Sequence, residues 1–144
     1  LAELVSVLPF EEPVVVVEVT GAELLCVLAE ADGERLDFGE PSWWHAHLSG
    51  ARLVWDDEAN EIVEATVDGE PIEDDRLYRV ATAEYLLHSD HEFPTIEERH
   101  RAGEFGIQHD VLADHARDGG LDVDVEGRIE FVHSVTGEAN TPAE

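Results

Sequence analysis

The side chains in this chain best suited to chemistry are its eight histidines. His45 and His47 lie two apart on a strand-like stretch, a spacing that turns both toward one side. His88, Asp90 and His91 form a compact set of nitrogen and oxygen donors. Zinc accepts both ligand types, but it needs three or four of them converging on one point. No spacing of the HExxH kind supplies them. The chain has no lysine, so histidine is also one of its few neutral-to-basic surface residues. The plain reading of these histidines is therefore a solvated one. No nucleophile triad, phosphate-cradling glycine loop or paired-acid motif stands out. With 35 Asp and Glu, chance carboxylate pairs are expected and carry no weight. Trp43 and Trp44 sit together in a loop, as a lid over a ligand or as an apolar patch that a partner domain covers. Arg52 and Arg79 read as ion-pair partners for the abundant acids. Cys26 reads as a buried small hydrophobe on the apolar side of a helix. As a single cysteine it makes no internal disulfide, which leaves the redox compartment open.

The charge balance limits what such residues can serve. Eight arginines against 35 acids give a net charge of −27. The acids alternate with periodic apolar runs such as Leu53-Val54-Trp55 and Leu77-Tyr78, and 43% of the residues are hydrophobic. This pattern predicts a folded core under an acidic surface, not a disordered polyanion. Such a surface suits strong salt, where the Debye length falls to about 3 Å at 1 M. It repels phosphate backbones, which excludes nucleic-acid polymers as partners. No stretch approaches the roughly 20 apolar residues of a membrane span. A length of 144 residues is enough for one domain with its own core. The chain opens on Leu1, without an initiator methionine or signal peptide, and is expected to be a fragment of a longer protein.

The positioning elements follow from periodicity. Residues 2–8 have helical spacing and stop at Pro9. Val14 to Val19 is a β-branched run that predicts a buried strand. Thr20, with Glu23 three residues on, makes a capping box. The helix it starts carries Leu24, Leu25, Leu28 and Ala31 on one face and is expected to end at Gly33. Strands are predicted at 52–56, 62–67 and 77–81. Asp68-Gly69 is a turn signal, which the following Glu70-Pro71 suggests is a loop more than a tight hairpin. Thr82 is expected to cap a short helix with Tyr85, Leu86 and Leu87. A polar loop is predicted from His88 to Gly106, then a helix over 107–117 with Ile107, Val111 and Leu112 inward. A closing strand is predicted at 128–132. Strands and helices mix without a βαβ rhythm, which predicts an α+β fold with a mixed, largely antiparallel sheet and packed helices. One domain is expected over 1–135, followed by a polar tail at 136–144.

Four segments, in this order, resemble the C-terminal domain of the 5'-nucleotidase and UDP-sugar hydrolase family. Leu8-Pro9-Phe10, followed after a short gap by Val14 to Val19 and Thr20-Gly21-Ala22-Glu23-Leu24, is similar to its "PF-x-N, hydrophobic strand, TG-x-x-L" segment. Leu48-Ser49-Gly50-Ala51-Arg52-Leu53 is similar to its "SG-x-R" strand. Val67-Asp68-Gly69-Glu70-Pro71-Ile72 and Tyr78-Arg79-Val80-Ala81-Thr82 resemble its "V-x-G-x-P-[VI] … YRVAT" block. Val111-Leu112 and Gly127-Arg128-Ile129 fall where the family has its last helix and strand.

The resemblance implies that this domain holds a substrate's base between two aromatic rings, Phe10 and Tyr85, which composition alone would place in the core. Tyr85 keeps the ring of the family's usual Phe and adds a hydroxyl. Glu12 stands where the family has Asn, a carboxylate that only accepts in place of an amide that also donates. Ser89-Asp90-His91-Glu92-Phe93 replaces a Gly-Gly-Asp-Gly-aromatic loop, with the acid displaced to Asp90 or replaced by His91. The family's "GG-x-R" segment would fall just before Leu1. The implied substrate-binding set is thus Phe10, Glu12, Tyr85, Asp90 and His91, with no catalytic or metal-binding residue in the chain. The implied partners are a nucleoside or nucleotide and the protein's own N-terminal metallophosphatase domain, where two divalent metal ions would do the hydrolysis. An exported or cell-surface location follows from the same resemblance. The alternative is a non-catalytic binding or scaffold module of this fold that has lost nucleotide binding or serves a non-nucleotide substrate.

Overall fold

The β-branched run becomes the central strand of a sheet because both its edges and one of its faces are covered. In the computed structural model, which describes residues 6, 8–40 and 43–133, β1 spans Pro13–Thr20. It pairs antiparallel with β5 (Leu77–Ala83) on one side and β6 (Arg101–Ile107) on the other. Val15, Val17 and Val19 alternate into the core and are essentially inaccessible to solvent. Helix α1 (Gly21–Ala29) starts where the sequence predicts. Thr20 Oγ1 accepts the Glu23 N–H at 3.2 Å, and the Glu23 carboxylate accepts the Thr20 N–H at 2.9 Å. The next donors are satisfied by the turn before β5: Gly21 N–H donates to Arg76 O at 2.8 Å and Ala22 N–H to Asp74 O at 3.1 Å. α1 buries Leu24 and Leu28 and ends at Ala29, short of Gly33, which instead opens a single 3₁₀ turn. Helix α2 (Gln108–Gly119) follows β6 and buries Ala113.

The chain divides into two compact units. One comprises residues 1–46 and 72–126 and holds the elements just described. The other comprises 47–71 and 127–144 and holds a second sheet of order β4-β3-β2-β7. Its strands are β2 (Ala51–Asp56), β3 (Glu61–Val67), β4 (Glu70–Pro71) and β7 (Ile129–Phe131). Neighbours are antiparallel except β2 and β7, which run parallel. Leu53, Trp55 and Ala65 are its buried side chains. The α+β class with a largely antiparallel arrangement is as predicted.

Several local expectations are corrected. Asp68-Gly69 closes a tight two-residue hairpin, with Val67 opposite Glu70 and both turn residues at positive φ, 52° and 82°. That is the geometry an Asp-Gly pair favours. Pro71 does not prevent it, because β4 is an edge strand, where a missing N–H costs nothing. Thr82 stays in β5, and the 3₁₀ turn Glu84–Leu87 begins after Ala83 with no side-chain cap. The predicted loop from His88 to Gly106 contains a 3₁₀ turn at Glu98–His100 and the whole of β6 up to Gly106. Val111 faces solvent, not the core, and Cys26 is exposed. The helical spacing at 2–8 falls mostly, and the tail at 136–144 wholly, outside the described residues.

Glu23 does more than cap. Its carboxylate also receives Arg99 at 3.0 Å and the buried His100 Nε2 at 3.2 Å. His100 Nδ1 accepts the Glu97 N–H, so Nε2 carries the proton that goes to Glu23. The Thr20 backbone N–H, then His100 and Arg99, hold the Glu23 carboxyl down at about 2. A depressed carboxyl stabilises the fold above its unfolded value of about 4.5 and loses that contribution as pH falls toward 2. After solvent screening, we expect this to be worth on the order of 2 kcal/mol. Glu23→Gln should lower Tm at pH 7 by about 3–8 °C. It should also flatten the acid limb between pH 4.5 and 2 in thermal melts followed by circular dichroism. A variant with the wild-type limb would show that Glu23 is not the group being titrated.

Candidate aromatic binding site

The register of β1 and β5 brings the two resemblance-derived rings onto neighbouring segments. The strands pair up to Val14 opposite Ala83. Continuing that antiparallel count sets Glu12 opposite Tyr85. The side chain closes the pair: the Glu12 carboxylate accepts the Tyr85 backbone N–H. The Glu12 carbonyl accepts Gln108 N–H at 2.9 Å, which ties the same residue to the start of α2. Phe10, two residues before Glu12, is 72% exposed, and Tyr85 is 47% exposed. The other tyrosine, Tyr78, is buried and accepts the Glu73 N–H with its hydroxyl.

The Tyr85 ring is held from its far end. Its hydroxyl donates to Glu92 Oε1, and Glu92 Oε2 meets His45 Nε2 at 2.6 Å. His45 stacks on the buried Phe93 at 5.9 Å between ring centroids. Phe38 meets its edge at 5.4 Å, and Trp43 lies tilted at 5.1 Å. The His45 backbone N–H donates to Ala31 O at 2.9 Å, beyond the end of α1. The loop carrying Glu92 is equally fixed. Ser89 Oγ accepts the N–H groups of His91 and Glu92. Phe93 turns the chain at φ 49°. Thr95 Oγ1 donates to Glu30 at the end of α1, at 2.5 Å. Partial burial pushes the Glu92 carboxyl up, but hydrogen bonds from Tyr85 and His45 outweigh it and hold the group below the usual carboxylate range. The same bond to Glu92, with some burial, raises the Tyr85 phenol above its ordinary value. The phenol therefore stays protonated at neutral pH and Glu92 stays charged.

Residues 1–98 match the family model for the C-terminal domain of 5'-nucleotidases. The chain belongs to the 5'-nucleotidase C-terminal domain family. Solved structures of similar fold include a 5'-nucleotidase precursor from Thermus thermophilus, at TM-score 0.72 and 22% identity over 91% of this chain and 27% of that one. The NAD nucleotidase of Haemophilus influenzae has TM-score 0.73 and 17% identity over 90% of this chain and 26% of that one. The sulfate thiohydrolase SoxB of Thermus thermophilus, in complex with glycerol, has TM-score 0.62 and 20% identity over 87% of this chain and 23% of that one. The chain thus spans about a quarter of the length of these proteins. No curated protein sequence matches it.

In the loop that stands where the family has its Gly-Gly-Asp-Gly-aromatic segment, the acid bonded to Tyr85 and His45 is Glu92, immediately before Phe93. Asp90 and His91 are both exposed. His91 pairs with Asp37 through Nδ1 at 2.9 Å, and His88 pairs with Glu98 at 3.6 Å. Glu92 and the rings of Phe38 and Phe93 are not singled out as site residues by sequence reasoning, and His45 is weighed there only as a metal ligand; the acid–aromatic pair Glu92-Phe93 is the available signal. Trp43 is 41% exposed and sits against Phe38 and His45. Arg79 lies opposite Glu18 in the β1–β5 register, and Arg52 donates to the Gly127 carbonyl at 3.4 Å. Among the described residues, no group of three or more His, Cys, Asp and Glu side chains is arranged to hold a metal ion. No helix among them is long and apolar enough to cross a membrane.

Proposed function

We propose that this chain is the substrate-recognition part of a 5'-nucleotidase-type phosphoesterase and that Phe10 and Tyr85 stack on the base of a nucleoside or nucleotide. One observation supports it above the others: of the exposed aromatic side chains of this unit, which also include Phe38, Trp43 and Phe105, Phe10 and Tyr85 lie on two segments that the Glu12–Tyr85 bond joins. Glu12 and the Ser89–Phe93 loop, with Asp90 and His91, supply polar contacts at the edges of the base. Glu12 only accepts, so bases presenting N–H donors suit it. Phosphate-ester hydrolysis belongs in this proposal to a companion N-terminal domain, whose divalent metals would supply the activated water. The role of this chain is to hold the base so that the phosphate is presented in a reactive geometry.

The test is adenosine titration of the chain in multimolar KCl, followed by tryptophan fluorescence. A stacked aromatic–base contact contributes about 1–3 kcal/mol, so Phe10→Ala and Tyr85→Ala should each weaken binding roughly 5- to 150-fold. No saturable response from the folded wild-type chain would refute the reading. That outcome would favour a module serving a non-nucleotide substrate, a second reading supported by the sulfate thiohydrolase of similar fold.

A further inference from the structure

We propose that Glu92 and His45 are positioning residues for Tyr85, tethering its ring through the hydroxyl in the orientation a stacked base meets. The inference deepens the ring-clamp reading above and rests on it. An exposed tyrosine rotates about its side-chain bonds, and immobilising such a side chain on binding costs about 2- to 10-fold in affinity. Here the fold bears that cost in advance. Glu92 uses both oxygens, one for the Tyr85 hydroxyl and one for His45 at 2.6 Å. His45 is boxed by Phe38, Trp43 and Phe93 and anchored by its backbone to Ala31. Ser89 fixes the turn into Glu92, and Phe93, buried just after it, anchors the other side. A continuous set of contacts therefore runs from the buried Phe93 to a half-exposed ring. Glu12 fixes the other end of the residue at its backbone N–H. Because the hydroxyl proton is committed to Glu92, Tyr85 offers a ligand only oxygen lone pairs.

The experiment is a double-mutant cycle on adenosine affinity in the 144-residue chain, at the salt concentration of the titration above. Glu92→Ala should weaken binding about 2- to 10-fold, and Tyr85→Phe should do the same, since each cuts the tether. Glu92→Gln, which keeps an acceptor at the same reach, should recover part of the loss. In the Tyr85→Phe background Glu92→Ala should add nothing; an equal loss in both backgrounds would assign Glu92 a structural role and overturn the proposal. A ligand-free readout guards against variants that merely loosen the loop. The chain has two tyrosines, and alkaline absorbance titration should show one phenol ionising at lower pH in Glu92→Ala than in wild type. Ser89, the other group bonded to that hydroxyl, is unchanged in this comparison. Identical titrations would overturn the tether whatever adenosine does. Wild-type binding that responds to Phe10→Ala but not to Glu92→Ala or Tyr85→Phe sinks this proposal alone; no wild-type binding sinks the ring clamp and, with it, the ligand role of the tether.

Discussion

Gly21→Ala is expected to destabilise the chain by about 3 kcal/mol or more, against a helix propensity that favours alanine by about 1 kcal/mol. Gly21 is the first residue of α1 and packs under the turn that leads into β5. A Cβ placed there would lie 1.9 Å from the Glu73 carbonyl oxygen and 2.6 Å from its carbon, both backbone atoms. Neither can move aside like the end of a flexible side chain. The same turn accepts the first two N–H groups of the helix, at Arg76 O and Asp74 O, so pushing it away breaks those bonds as well. Tm should fall by about 6–12 °C or the cooperative transition should be lost. Gly119→Ala is the contrast. It sits at the last position of α2, with nothing within 4 Å of the added carbon, and should be neutral or stabilising by up to about 1 kcal/mol. Urea melts of the two variants in high salt decide the matter. A Gly21→Ala chain as stable as wild type would mean that the turn does not clamp the start of α1.

What can be read from the residues alone is what local chemistry determines. The Val14–Val19 run and the Thr20–Glu23 capping box mark β1 and the start of α1, because each signal is contained in a few consecutive residues. Strand β6 escapes because Arg101 to Ile107 carries Gly103 and Gly106 and little alternation. It forms by pairing along the edge of β1, with two register shifts, which is a tertiary event. Cys26 is exposed for a geometric reason: two residues past Leu24 is about 200° around a helix, nearly opposite the Leu24–Leu28 stripe. The hairpin at Asp68-Gly69 is masked because Pro71 reads as a strand breaker unless the strand is known to be an edge. The site is legible in a different way. Phe10, Glu12 and Tyr85 come from family resemblance, and the β1–β5 register then sets Glu12 beside Tyr85. The Glu92–His45 bond joins residues 47 apart in sequence and has no local signature.

The other large effect concerns salt. The chain is expected to melt about 10 °C or more higher in 2 M KCl than in dilute buffer, through screening of its own surface. Among the described residues, four of its eight arginines already meet carboxylates: Arg101 meets Glu84, Glu98 and Glu104, Arg99 meets Glu97 and Glu23, Arg117 meets Asp114 and Arg35 meets Asp32. The 35 carboxylates outnumber the eight arginines more than four to one, and some stand opposite one another in register, as Asp56, which also has His133 at 3.5 Å, and Glu61 do across β2 and β3. At about 9 Å in water two such charges repel by roughly 0.5 kcal/mol. Summed over a net charge of −27 and set against weaker repulsion in the expanded unfolded chain, this leaves several kcal/mol opposing the fold at low ionic strength. Salt also weakens the arginine pairs, but exposed pairs are worth at most about 1 kcal/mol each and are few beside the acids. The repulsive sum therefore decides the sign. Coulomb screening and salting-out separate by concentration, since the Debye length already falls from about 10 Å at 0.1 M to about 3 Å at 1 M. Most of the rise in Tm should come below about 1 M. Glu61→Gln, which relieves the facing pair, should raise Tm in dilute buffer and lose that advantage in multimolar KCl. A melting temperature indifferent to KCl would mean that the acidic surface is not a source of strain, and a rise confined to concentrations above about 1 M would assign the effect to hydrophobic burial instead.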